Sequence, residues 1–155
     1  MAGWPSLHRT IEHVYLTDVG GLPLVHLSSP SASEDKDPDL VASMFAAIQN
    51  FMDDSFHSMG IGDVRSLEVG SKHHVAFGRG HSLLLYVVYR GREWNRLERR
   101  VIRFVHDLEV QFGTLVGAWD GNVDALSPLR RYLEHAWDLH SKELASDALE
   151  RPPIP

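Results

Sequence analysis

Leu83-Leu84-Leu85-Tyr86-Val87-Val88-Tyr89 is an unbroken apolar run in which no polar residue alternates. It is the length of a strand and falls far short of the roughly 20 residues a membrane-spanning helix requires. A strand with one wet face alternates; a strand that does not alternate is covered on both faces. The run therefore predicts a sheet that carries helices on both sides.

Downstream of it, Glu93 to about Phe112 sets Trp94, Leu97, Val101, Phe104, Val105, Leu108 and Phe112 at three- and four-residue intervals, the pattern of a helix on a core. Arg96, Arg99, Arg100 and Arg103 fall on the outward face of that helix. After the turn Trp119-Asp120-Gly121-Asn122, the residues Val123, Leu126, Leu129, Leu133, Ala136 and Trp137 restore the helical spacing. Pro128 sits in the first turns, where its missing donor is tolerated. This last helix is expected to fray before Arg151-Pro152-Pro153.

Upstream, Val64 to Val69 and His74 to Phe77 form two short strands around Gly70-Ser71-Lys72. A helix precedes them from Pro38 to about Met59, with Asp37 placed to cap it, Pro38 at its first position, and Gly60-Ile61-Gly62 to end it. Its apolar residues Leu40, Val41, Met44, Phe45, Ala47, Ile48, Phe51, Met52 and Phe56 cover about half the circumference, with Asn50, Asp53 and His57 opposite. That arc is wider than one sheet contact requires. Leu40, Met44, Ala47 and Phe51 form one edge of it and are a candidate surface for a partner helix or a second subunit. The competing cover for that edge is the opening loop or the segment around Trp4.

The chain opens with Ile11 to Val19 and Leu22 to Leu27, β-rich runs joined by Gly20-Gly21 as a hairpin. Ser28 to Asp37 reads SSPSASEDKD, a polar exposed loop. The fold class is thus α/β (α+β): a three-layer α/β/α arrangement around a five-stranded antiparallel sheet, in the order ββαβββαα. The expected division is an N-terminal segment over 1–10, one domain over 11–140 and a C-terminal tail over 141–155. No repeat emerges at shifts of about 20 to 50 residues.

Bulk properties narrow the function. The 155 residues suffice for one domain, and 43% hydrophobic and 23% charged residues are ordinary for a globular protein. A formal net charge of -6 argues against a general nucleic-acid binder. The chain has no cysteine, which removes disulfides, thiolate catalysis and Cys-based zinc sites and points to the cytoplasm. Met1 to Thr10 lacks the apolar region of a secretory signal, and no run is long enough for a membrane span.

Candidate chemistry is sparse. His57, His73-His74 and the pair His135/His140 invite a metal reading, because imidazole binds zinc and copper. Adjacent residues of a strand point to opposite faces, however, and five residues along a helix is a rotation of about 140°. Neither pair suits one ion, so no metal site is expected. Gly70-Ser71-Lys72 lacks the order and the following helix of a phosphate loop and reads as a hairpin turn. No Gly-x-Ser-x-Gly elbow is present. His74 or His26 as a general base would need a carboxylate or hydroxyl partner that the sequence does not pair with it. The arginine stripe Arg96, Arg99, Arg100 and Arg103 is the best polar candidate, for an acidic partner or anionic lipid; the bland alternative is a solvated face partly neutralised by Glu98.

Four stretches bring a family into view: IEHVYLTDVGGLPLVHLS, LVASMFAAIQNFMDDSF, HHVAFGRGHSLLLYVVYRG and FGTLVGAWDGNVDAL. Together with the order ββαβββαα they resemble the longin-like branch of the longin and roadblock superfamily. Roadblock domains begin with a helix, whereas this chain begins with a strand, which favours the longin arrangement. The turn Gly117-Ala118-Trp119-Asp120-Gly121 is similar to prokaryotic members, many of them archaeal. The resemblance implies a non-enzymatic interaction domain with no cofactor, a homodimer, and a platform or regulator for a small Ras-like GTPase. A small-ligand sensing module of PAS-like or profilin-like type is the alternative from another class.

Overall fold

The structure, a computed structural model, describes residues 9–32 and 37–139. Its elements are β1 (Thr10–Asp18), β2 (Pro23–Ser28), α1 (Pro38–Ser58), β3 (Ser66–Val69), β4 (His73–Arg79), β5 (Leu83–Arg90), α2 (Asn95–Gly117), a 3-10 turn (Val123–Leu126) and α3 (Ser127–Trp137). The strands form one antiparallel sheet in the order β2-β1-β5-β4-β3. The apolar run at Leu83 is its central strand, and Leu83 through Val87 and Tyr89 are all buried.

Alternation along β5 divides the core in two. Leu83, Leu85, Val87 and Tyr89 meet Leu97, Val101, Phe104, Val105 and Leu108 of α2 and Leu129, Leu133 and Trp137 of α3. Leu84 and Tyr86 face the other way, to Tyr15, Val75 and Phe77 and to Ala42, Phe45 and Ala46 of α1. Phe45 is the aromatic centre of that smaller cluster, with ring centroids 5.7 Å from Tyr15 and 5.6 Å from Tyr86. The three-layer arrangement follows directly.

Gly78 sets the spacing of the larger layer. A Cβ at this position would lie 2.8 Å from Val101 Cγ1 and 2.9 Å from the Val101 carbonyl oxygen, so α2 seats on β4 only because no side chain intervenes. The spacing Glu93 to Phe112 underestimates α2, which continues to Gly117. Leu115 and Val116 pack against the larger cluster and hold the extra turn. The apolar repeat from Val123 to Trp137 divides into the 3-10 turn and α3. The segment around Trp4, His140 and the expected fraying before Arg151 lie outside the described residues.

Candidate interaction surfaces

Helix α1 has its apolar and polar residues on unexpected sides. Its buried residues are Ala42, Ala46, Gln49 and Asp53. Leu40, Met44 and Phe51 are 65%, 48% and 74% exposed, and Ala47 is exposed beside them. These four follow one another at steps of four, three and four residues, the 3.5-residue period of a helix-to-helix seam. The sequence pattern places Asp53 on the solvent side, and the structure corrects this: Asp53 is 3% exposed.

Strand β4 supplies the reason. Arg79 Nε donates to Asp53 Oδ2 at 2.7 Å, and the Val64 amide donates to Asp53 Oδ1 at 2.9 Å. Arg79 also donates to the Asn50 side-chain oxygen. Buried charge is tolerated only when paired and hydrogen-bonded, and Asp53 is both. The β1–β2 turn fastens the same side of the helix: Ser43 Oγ donates to the Gly21 carbonyl at 2.9 Å, and Asn50 Nδ2 donates to the Val19 carbonyl at 3.0 Å. Beneath this side lies the Tyr86 hydroxyl, which burial pushes well above the ordinary tyrosine range. Polar anchors and Phe45 thus hold α1 to the sheet while Leu40, Met44 and Phe51 face water.

Helix α2 is amphipathic in the ordinary sense, with leucines and aromatics inward and Arg96, Arg99, Arg100 and Arg103 outward. The four arginines are not equivalent. Arg100 lies over the Trp137 ring, 4.1 Å from its centroid, and donates to the Ala136 carbonyl at 2.6 Å, tying α2 to α3. Among the described residues no carboxylate oxygen lies within 4.0 Å of Arg96, Arg99 or Arg103. Glu98, the expected neutraliser, is buried instead.

The Trp119-Asp120-Gly121-Asn122 turn is a closed hydrogen-bonded unit. Trp119 Nε1 donates to the Asn122 carbonyl at 2.7 Å, Asp120 Oδ1 accepts from the Asn122 amide at 3.0 Å, and Asn122 Oδ1 accepts from the Asp124 amide at 3.1 Å. Gly121 has φ +97, which only glycine adopts cheaply. The turn ends α2 and starts the 3-10 segment; its polar groups are spent on its own backbone.

The histidines disperse over the fold. His73 meets Glu12 Oε1 at 3.1 Å, whereas His74 stacks on Tyr89 with centroids 5.2 Å apart, on the opposite face. His57 pairs with Asp63, and His135 is exposed on α3. His26 contacts His13, Nε2 to Nδ1 at 3.1 Å, and both rings stack with Tyr15. That trio was readable from the Gly20-Gly21 hairpin, whose register sets His26 opposite Tyr15. Among the described residues no three histidine or carboxylate side chains converge on a point. Gly70-Ser71-Lys72 is the β3–β4 turn, with Gly70 at φ +64.

Two further side chains carry shifted ionisation. Burial raises the Tyr89 hydroxyl, although it accepts from the Trp94 amide at 3.1 Å. Burial alone would raise Glu109, yet the amides of Ser82, His81 and Leu83 outweigh it and hold the carboxyl below its ordinary range. The Ser82 and Leu83 amides lie 2.8 and 3.1 Å from Glu109 Oε1. A Cβ on Gly80 would stand 1.8 Å from that same oxygen. The β4–β5 turn is therefore built around the α2 carboxylate.

Solved structures share this architecture, two of them as follows. Myxococcus xanthus MglB matches with a TM-score of 0.53 and 20% identity, over 67% of this chain and 85% of that one. The Roadblock/LC7 domain from Streptomyces avermitilis matches with a TM-score of 0.52 and 17% identity, over 66% of this chain and 86% of that one. No protein-family model and no curated protein matches the chain. At such identities the likeness establishes the fold alone: a five-stranded antiparallel sheet with three helices. No helix among the described residues is long and apolar enough to cross a membrane.

Proposed function

We propose that this chain is a non-enzymatic protein-interaction domain of the cytoplasm that pairs with a second copy of itself through α1 and regulates a small Ras-like GTPase. The observation that carries the pairing is the stripe Leu40, Met44, Ala47 and Phe51. Apolar side chains at seam spacing stand in water while Gln49 and Asp53 of the same helix are buried. A helix that folded only for its own sheet would gain stability by reversing these sides. A second α1 with the same stripe is complementary to the first at that period, and an isologous pair buries both stripes at once. The GTPase partner rests on the longin resemblance and fits the likeness to MglB and to a roadblock/LC7 domain.

The chain mixed with a small Ras-like GTPase of its own cell, loaded with GDP or with a non-hydrolysable GTP analogue, tests both parts by native mass spectrometry. The expected species contains two copies of the 17.5 kDa chain and binds GTPase in one nucleotide state more than in the other. Absence of any complex in both states removes the GTPase from the account. A single 17.5 kDa species at all concentrations removes the pairing.

A further inference from the structure

The arginines of α2 cost the helix more than its fold returns. Between Arg90 and Arg103 the sequence holds six arginines against two glutamates, in a chain whose net charge is -6. Arg96 and Arg99, Arg96 and Arg100, Arg99 and Arg103, and Arg100 and Arg103 stand three or four residues apart, the spacings at which like charges weaken a helix. Arg96 also falls in the first turn, where the helix dipole disfavours a cation. Arg90 has Glu12 at 3.7 Å, and Arg100 has the Trp137 ring and the Ala136 carbonyl. Arg96, Arg99 and Arg103 are exposed and have no carboxylate partner among the described residues.

The geometry points to the outer face of α2 as the docking site for a carboxylate-rich surface of a partner protein, with Arg96, Arg99 and Arg103 as its contacts. This assignment rests on the interaction-domain reading above and names the face and the chemistry of the partner. Charge complementarity carries it: three unpaired guanidinium groups on one helix face meet side-chain carboxylates two-pronged, a geometry that lysine does not offer. Their mutual repulsion is relieved only when acidic groups arrive. A protein surface is favoured over an anionic bilayer because the exposed large apolar side chain of α2 is Val110 alone, too little to insert among acyl chains. The exposed apolar stripe Leu40, Met44 and Phe51 is on α1, which carries the exposed acids Asp39 and Asp54. Since α1 and α2 cover opposite faces of the sheet, a pair formed through α1 leaves both arginine faces open.

The test uses the full chain, a labelled oligo-glutamate peptide, and vesicles of phosphatidylglycerol in phosphatidylcholine. The triple variant Arg96→Gln, Arg99→Gln, Arg103→Gln is compared with Arg65→Gln, which removes an exposed arginine elsewhere. The expected result is salt-sensitive peptide binding by the wild type and by Arg65→Gln, weakened about tenfold or more in the triple variant. Circular dichroism should be unchanged, because the three side chains are exposed. Equal peptide binding by the triple variant and wild type overturns the assignment, as does wild-type binding to the vesicles without binding to the peptide. Solution mass is read on the same samples. A wild-type monomer whose peptide binding still depends on the three arginines refutes pairing through α1 and leaves this assignment standing.

Discussion

On one side of the sheet α2 and α3 bury Leu97, Val101, Leu108, Leu129 and Leu133 and turn arginine to water; on the other, α1 buries Gln49 and Asp53 and turns Leu40, Met44 and Phe51 to water. Both sides obey the same physics with different anchors. Apolar burial holds the first, while the second leans on an ion pair, several hydrogen bonds and the small patch around Phe45. A helix held by polar anchors keeps its apolar side chains free for another surface. The difference supports the proposal that α1 pairs through its apolar stripe, while α2 and α3 supply most of the apolar core and offer only their charged outer face.

The sharpest way to break the comparison is to remove one anchor from each side. Leu133→Ala should cost about 4 kcal/mol, since a fully buried leucine leaves a cavity between α3 and the sheet. Asp53→Ala should cost about 3 kcal/mol by leaving Arg79 without its buried partner and the Val64 amide unpaired. Urea denaturation reads both, and a loss under about 1 kcal/mol for Asp53→Ala would mean that the ion pair does not hold α1. Arg100→Ala should cost about 1 kcal/mol through the lost Trp137 stacking and Ala136 bond. Arg99→Gln should stay within about 0.5 kcal/mol of wild type, which separates the structural arginine from the exposed ones.

Acid should act on the α2 side through Glu109. Its folded carboxyl titrates below the unfolded one, so its contribution is full above the ordinary glutamate range and is lost as pH falls through the lower folded value. Glu109→Gln should therefore flatten the acid limb of a melting-temperature against pH curve. An unchanged limb would show that the Ser82 and Leu83 amides do not depend on that charge.

Much of this fold was legible. The non-alternating run at Leu83 implied cover on both faces, Gly20-Gly21 and Gly70-Ser71-Lys72 marked the hairpin turns, and Asp37-Pro38 marked the start of α1, where Asp37 Oδ1 accepts from the Leu40 amide at 3.1 Å. What periodicity could not give was which edge of a wide apolar arc faces inward. Amphipathicity assigned Asp53 to solvent because it weighs each residue alone, whereas Arg79 reaches Asp53 from a strand 26 residues away. The stripe at Leu40, Met44, Ala47 and Phe51 stood out as surplus apolar surface; it is exposed, and the Trp4 segment weighed as its competing cover lies outside the described residues. The arginine stripe read as one unit; the structure divides it, because Trp137 claims Arg100 and no charge pattern foretells a ring one helix away.

Light scattering across a concentration series, on the wild type and on Phe51→Asp, tests the central claim most directly. Pairing through α1 gives a wild-type mass of twice 17.5 kDa, and a folded Phe51→Asp monomer of 17.5 kDa whose stability, read where both chains are monomeric, is within about 0.5 kcal/mol of wild type. A wild type that stays at 17.5 kDa, or a Phe51→Asp chain that still pairs, would contradict it.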